Sequence, residues 1–359
     1  MRFSAVVLAA ALALPMATAT AEAATRADLR VAAQSQEMIW NAVAVDRNRV
    51  FVSGPRWSGS RGPALARLSR GVPRPYPNAE WNSWQPGQDP AAKFVNINAI
   101  HHDGHGSLWA VDTGSPDFGG NPLPRAAKLV RINLRTNQVT RIHHFADSVA
   151  LPGSYVDDVR FHGRHAYLTD AGRPGLIILD LVTGTARRVL DNHPSTVAPA
   201  DRPLVLDGAV VRAPDGNPLR VHADPLELSP DRQWLYYGSL HGPWSRIATR
   251  DLDNPGLSAP ELAARVEPWA DLPAVGGTAM DRHGNLYFTD LVEHALKRRT
   301  PDGRISTVVQ DQRLHWTDAP FLAPDGRIWL PVPQMDRVAL FHGGQTRVQW
   351  PIQLFTVRP

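Results

Sequence analysis

One unit recurs through this chain: an apolar strand, a polar turn rich in Asp and Gly, then a second apolar strand carrying an aromatic. It occurs six times, from Asn41–Ser53 through Ala99–Asp112, Val159–Asp170, Leu226–Gly238 and Ala279–Asp290 to Phe321–Leu330. Most copies continue into a further hairpin: Ala127–Asn133 turns at Thr136-Asn137, Leu176–Leu181 at Thr183-Gly184, and Ala295–Arg299 at Pro301-Asp302-Gly303. Each repeat is therefore about four strands, a unit that cannot bury both faces alone. Radial closure solves this, because it leaves only short, protected edges. The expectation is an all-β chain, a six-bladed β-propeller with four-stranded blades, spanning residues 24–359 as a single domain. The apolar stretch Leu29-Arg30-Val31-Ala32 precedes the first full repeat and is expected to complete the last blade, so that an N-terminal strand closes the ring. The repeats run somewhat longer than the usual ~40–50 residues, and the largest insertion lies near Asn192–Leu219, rich in Pro and Asp.

Composition agrees. The 32 Pro and 27 Gly in 359 residues would break a helix-rich fold. The net charge of +4 comes with scattered Arg and only Lys93, Lys128 and Lys297 as lysines, without the basic stripe that nucleic acid demands; no nucleic-acid partner is expected. Residues 1–23 read as an export signal removed on maturation: Arg2, the apolar run Ala5–Leu14, and Ala21-Glu22-Ala23 as cleavage pattern. No later stretch reaches the ~18 apolar residues of a transmembrane segment, so the expected location is periplasmic or secreted. With no Cys, neither disulfides nor thiol chemistry contribute. G-x-S-x-G, P-loop, G-x-G-x-x-G and zinc patterns are missing from the sequence, which argues against covalent serine hydrolysis and against a nucleotide cofactor.

Blade topology narrows the search for a site. In each blade the residues that begin the inner strand and those that end its neighbour share one face beside the axis, and the Asp-Gly turns occupy the other. The first set holds Trp40, Asn41, Asn96, Asn98, Asp157, Asp158, His222, Asp224, Thr278, Trp316, Thr317 and Asp318; the second holds Arg56, Trp57, Asp112, Asp170, Ser239, His241, Asp290, Glu293 and His294. A ring of Asn, Asp, Thr and His suits a small polar or aromatic molecule, and Asn and Asp oxygens suit a hard cation such as Ca²⁺. Asp158, Asp224 and Asp318 are read as site acids because three blades place an Asp at what looks like one register. For Asp112, Asp170 and Asp290 two readings stay open: a site role, or bonding to backbone amides that holds the ring. His101-His102 and His143-His144 lack ligand spacing. Trp109, Trp234 and Trp329 are assigned to the inter-blade core.

Several segments resemble the major royal jelly/Yellow protein family, in its bacterial branch: Pro55-Arg56-Trp57, Pro75-Tyr76-Pro77-Asn78 with Trp81, Leu108–Gly114, Tyr155–Phe161, Ala166–Gly172, Leu228–Asp231 with Leu235-Tyr236-Tyr237, Leu286–Asp290 with Glu293-His294, and Thr317-Asp318-Ala319. The resemblance implies a six-bladed, mostly exported protein. It also implies functions that range from pigment chemistry, dopachrome conversion included, to the binding of small amines in the central channel. Asp158, Asp224 and Asp318 match acidic positions at the channel mouth. Gly276-Gly277-Thr278 departs from the Asp-Gly usual before the fifth inner strand. On this reading the ligand is a small aromatic or amine compound, contacted by Trp40, Asn41, Trp57, Asn98, Asp158, Thr278, Trp316 and Asp318. Tautomerase-type proton transfer would fall to His222, Asp224 or His294.

The architecture is also similar to the gluconolactonase/regucalcin group. That likeness implies the alternative of a divalent-metal-dependent lactone hydrolase, its cation (Ca²⁺ first) held by Asn98, Asp158, Asp224 and Glu293, with Asp224 as base. A third alternative is a non-catalytic scaffold that meets an unidentified protein partner through the long insertion.

Overall fold

The structure, a computed structural model, describes Met1 and residues 28–359; the export signal read in the sequence lies outside the described residues, apart from Met1. Six four-stranded antiparallel sheets form a six-bladed β-propeller. Blade 1 comprises Ala42–Asp46, Arg49–Ser53, Leu65–Ser69 and Val72–Pro75; the inner strands of blades 2 to 5 are Ile97–His102, Val156–His162, Ala223–Leu228 and Val275–Met280. Blade 6 runs outward from Phe321–Leu322 through Ile328–Val332 and Ile352–Val357 to Arg30–Ser35, so the N-terminal strand supplies the outermost position of the last blade. The inner strands of blades 6 and 1 meet at the parallel bridge Ala319–Ala42, and the ring is closed.

Inter-blade seams hold the apolar core. Blades 2 and 3 interleave Trp109, Val111 and Leu129 with Val159, Leu168 and Ile177; blades 3 and 4 join Tyr167, Leu176 and Ile178 to Leu226, Leu235 and Tyr237. Both faces of a blade are covered in this way, which is why middle strands such as Gly175-Leu176-Ile177-Ile178-Leu179 are apolar at consecutive positions and not at alternate ones. Trp109 packs in its seam as expected, 4.8 Å from the Phe161 ring. Trp234 departs from that expectation: it is half-buried beneath the Arg246 guanidinium, 4.3 Å away.

The turns carry their own geometry. Asp103 accepts hydrogen bonds from the amides of His105 (2.7 Å) and Ser107 (3.0 Å) and from Trp109 Nε1 (3.0 Å). Gly104 and Gly106 beside it take φ of 74° and 85°, a region that costs a side chain dearly and glycine little. Asp281 repeats the pattern with His283 and Asn285. The acids that end the second strands hold the ring. Asp112 accepts from the amides of Val95, Asn96 and Gly114 and from Lys128 Nζ at 2.8 Å; Asp170 accepts from the Tyr155 amide and Arg188, and Asp290 from the Val292 amide and Lys297. For these three the backbone-holding reading stands.

The insertion between blades 3 and 4 folds back over the axis. It contains the hairpin Val205–Leu206/Ala209–Val210, and its Leu204, Leu206, Leu219 and Val221 pack with Trp316 and Met335. Among the described residues no helix is long and apolar enough to cross a membrane.

Candidate functional site

The site is built by four backbone bulges. In blades 2, 3, 4 and 5 the inner strand carries one residue more than its neighbour: Ile97 pairs with Asp112 but Ile100 with Ala110, and the same slip falls between Val156 and Val159, Ala223 and Leu226, and Val275 and Thr278. A bulge re-aims side chains. The first bulged residues are Asn98, Asp157, Asp224 and Gly276; the second are Ala99, Asp158, Pro225 and Gly277. Asn98, Asp157 and Asp224 thus share one register and line one axial cavity, and Asp318 joins them from the segment leading into blade 6.

That cavity, about 50 Å³, has a polar floor and aromatic walls: Asn41, Asn98, Asp157, Asp224 and Asp318 below, Trp57, Phe118, Tyr155, Trp316 and Phe341 around, and Leu219 and Met335 among the aliphatic contacts. A relay of hydrogen bonds orders it. Trp57 Nε1 donates to the Tyr155 hydroxyl (2.9 Å), which donates to Asn98 Oδ1 (2.9 Å), while Asn98 Nδ2 donates to Asp157 (2.5 Å). Asn41 Nδ2 also donates to Asn98 Oδ1, and Asn41 Oδ1 is buried without a partner among the described residues. Trp316 Nε1 donates to Asp318 (3.2 Å).

Among the described residues no Lys, Arg or His lines this cavity, so its acids face one another. Burial, then the charges of Asp318 and Asp158, pushes the Asp157 carboxyl well above its usual range. Burial, then Asp157, does the same to Asp224, which shares a hydrogen bond with Asp157. Burial raises Asp318 to about 7 in spite of donation from Trp316 and the Ala319 amide. Such a group ionises near neutral pH and can exchange a proton with a bound molecule.

Several expected site residues lie elsewhere. Asp158 is not in register with Asp224: the bulge turns it the other way, onto Arg160 (2.7 Å), whose guanidinium also grips Glu227 (2.9 Å). Both acids, with Thr278, line a separate cavity of about 740 Å³ on the Asp-Gly turn face. Trp40 is fully buried and donates to the Gln353 carbonyl, a core residue and no ligand contact. His222 Nδ1 accepts from the Ala198 amide under the insertion (3.1 Å), and burial lowers its pKa. His294 pairs with Asp207 of the insertion, so neither histidine reaches the axial cavity. Glu293 is tied to Lys297 at 2.8 Å. The expected metal set Asn98, Asp158, Asp224 and Glu293 is therefore not brought together: Asp158 and Glu293 lie outside the axial cavity, paired with Arg160 and Lys297.

Trp57, Asn41, Asn98, Asp224, Trp316 and Asp318 do converge as the sequence suggested. Tyr155, Phe118 and Phe341 were missed, and Asp157, placed in the ring of strand-entry residues, was passed over for Asp158. The adjacent acids of Tyr155-Val156-Asp157-Asp158 were the available signal for Asp157, but strand alternation cannot choose between neighbours when a bulge sits on them. The missing acid of blade 5 has a steric cause: a Cβ on Gly276 would lie 2.3 Å from the Thr317 carbonyl oxygen, and one on Gly277 2.7 Å from Ala319 Cα. Blade 6 passes too close for any side chain there.

The sequence model described as "Major royal jelly protein" matches residues 97–337, about two-thirds of the chain. The chain belongs to that family. Within the major royal jelly family fold, the match begins at the inner strand of blade 2 and takes in Asn98, Asp157, Asp224 and Asp318. No curated protein is similar enough in sequence to match. Among solved structures, a virginiamycin B lyase from Staphylococcus aureus aligns with TM-score 0.54 at 10% identity, over 93% of this chain and 99% of that one. A gluconolactonase from Xanthomonas campestris aligns with TM-score 0.54 at 12% identity, over 93% and 90%. At such identities the likeness is one of fold alone.

Proposed function

We propose that this exported member of the major royal jelly family binds a small protonated amine bearing an aromatic ring, at the axial cavity. One observation carries the reading: Asp157, buried, and Asp224 and Asp318, half-buried, share a cavity that no positively charged side chain lines among the described residues, and desolvation raises all three carboxyls. Buried carboxylates are ordinarily paired. Here the partner has to come from outside, or the acids must hold protons in its place. An ammonium head supplies three donors and the missing charge, and Trp57, Trp316 and Tyr155 offer π faces to the cation or its ring.

Size refines the picture. About 50 Å³ takes an ammonium head and not a whole aromatic molecule, so the ring lodges at the rim. There Trp57, Phe118 and Phe341 lie 4.8 to 6.2 Å apart between centroids, and Phe118 or Phe341 has to move aside. If the bound molecule is also tautomerised, Asp318 is suited to shuttle the proton beside Asp224, in place of His222 and His294, which lie outside the cavity.

Calorimetry with 2-phenylethylamine against neutral 2-phenylethanol tests the reading. The amine is expected to bind and the alcohol not, with Asp224→Asn weakening the amine by tenfold or more, about 1.4 kcal/mol. Equal binding of amine and alcohol, or an unaffected Asp224→Asn, would overturn it.

A further inference from the structure

A second constellation stands apart from the axial cavity and independent of its reading. Asp207 at the tip of the insertion hairpin, His294 at the turn after the second strand of blade 5, and His315 ahead of blade 6 bring one ligand atom each within 4.8 Å of one another. His294 Nε2 lies 2.9 Å from Asp207 Oδ1, and His315 Nδ1 lies 3.6 Å from Asp207 Oδ2. Both imidazoles are 3% exposed, with ring centroids 4.9 Å apart. The two rings converge on one carboxylate.

The surroundings complete the pattern of a metal site. His315 Nε2 sits 2.8 and 2.9 Å from the two oxygens of Asp336. That contact makes Nε2 the protonated nitrogen and leaves the Nδ1 lone pair facing Asp207. An Arg337 guanidinium nitrogen lies 3.3 Å from Nδ1, consistent with that tautomer. A carboxylate behind the ligating imidazole is the usual means of fixing tautomer and ring orientation at a metal. His294 Nδ1 is buried without a partner and Asp207 is that ring's one polar contact among the described residues; without metal the Nε2 proton bonds Asp207, and metal binding shifts the proton to Nδ1 so that Nε2 can ligate. With the histidines neutral, Asp207 and Asp336 against Arg337 leave one net negative charge to meet a cation.

We propose that Asp207, His294 and His315 form a binding site for a divalent transition-metal ion of the Zn²⁺ class, oriented by Asp336. Two imidazoles and one carboxylate are a borderline donor set that favours such ions over Ca²⁺ or Mg²⁺. The fourth position is left to water, with Arg337 withdrawing from Nδ1. The site ties the insertion to blades 5 and 6. Leu219 and Val221 of the insertion, and Met335 next to Asp336, line the axial cavity, so the ion would clamp the cover of that cavity.

The test uses the full mature chain, untagged and stripped with chelator, titrated with Zn²⁺ alone and then with Co²⁺. One equivalent of Zn²⁺ is expected, and Co²⁺ should give the intense visible bands of a four-coordinate site. Asp207→Gly removes the ligand while keeping the hairpin: Asp207 and Gly208 have φ of 48° and 80°, a turn that Gly-Gly also adopts. This variant is expected to bind Zn²⁺ at least tenfold more weakly, whereas Asp224→Asn at the axial cavity binds it as the unaltered chain does. Absence of stoichiometric Zn²⁺, octahedral Co²⁺ bands, or an Asp207→Gly chain that binds as tightly as the unaltered one would each overturn the proposal.

Discussion

Two carboxylates meet opposite fates: Asp112, fully buried at the end of a second strand, and Asp318, half-buried ahead of the inner strand of blade 6. Asp112 has Lys128, itself fully buried, whose ammonium bonds Asp112 (2.8 Å) and the carbonyls of Ala126 (2.8 Å) and Pro90 (3.2 Å). Lys128→Ala would leave that carboxylate uncompensated and is expected to cost about 3–5 kcal/mol, read as a lowered denaturant midpoint at unchanged m-value. Asp318 has no cation among the described residues and keeps its proton up to about pH 7, whereas an unfolded Asp ionises near pH 4. Folding therefore takes up a proton between those values. Its contribution to stability is full below pH 4, declines as the pH rises toward 7 and is flat above. Asp318→Asn should remove this decline and raise the denaturant midpoint at pH 8 relative to the parent; a parent whose stability climbs from pH 5 to 7 with no difference in the variant would contradict the assignment.

At the scale of elements, closure and close approach dominate. The N-terminal strand contributes five paired positions against Ile352–Thr356, and at about 1 kcal/mol per net hydrogen bond its deletion is expected to cost on the order of 3–5 kcal/mol. A chain starting at Glu37 should melt earlier and less cooperatively. Gly276 marks where the strand segments of blades 5 and 6 touch: Gly276→Ala would set a Cβ against the Thr317 carbonyl and is expected to cost about 1–3 kcal/mol, an effect visible in thermal melting even though a single methyl is added. Gly276→Asp would accordingly fail to supply the acid that blade 5 lacks.

For the whole molecule, the axial acids behave as one cluster assembled from two blades and the approach to a third. Because they hold protons when no cation is present, binding of an ammonium ligand should release protons to solvent, and the affinity should rise as the pH passes upward through 7. Calorimetry of 2-phenylethylamine in buffers of different ionisation enthalpy reads the release directly; identical apparent enthalpies in all buffers would sink this reading of the cluster. At 100 times its Kd such a ligand should add about 2.7 kcal/mol to stability.

The sequence alone determined the number of blades, their four-strand composition, the closing role of the segment that begins at Arg30, and the face on which Asn98, Asp224 and Asp318 gather. These follow from local signals, apolar strands punctuated by Asp-Gly turns, which any copy of the repeat displays. Only the tertiary structure decided that Asp157 and not Asp158 faces the axial cavity, because a bulge inserts one residue without leaving a mark in composition and reverses the side of everything it carries. It alone decided that Trp40 is core, that Glu293 answers to Lys297, and that His222 and His294 turn to the insertion. Those partners come from blades and loops far apart in the chain, and burial and pairing are properties of the closed ring, not of any strand read singly.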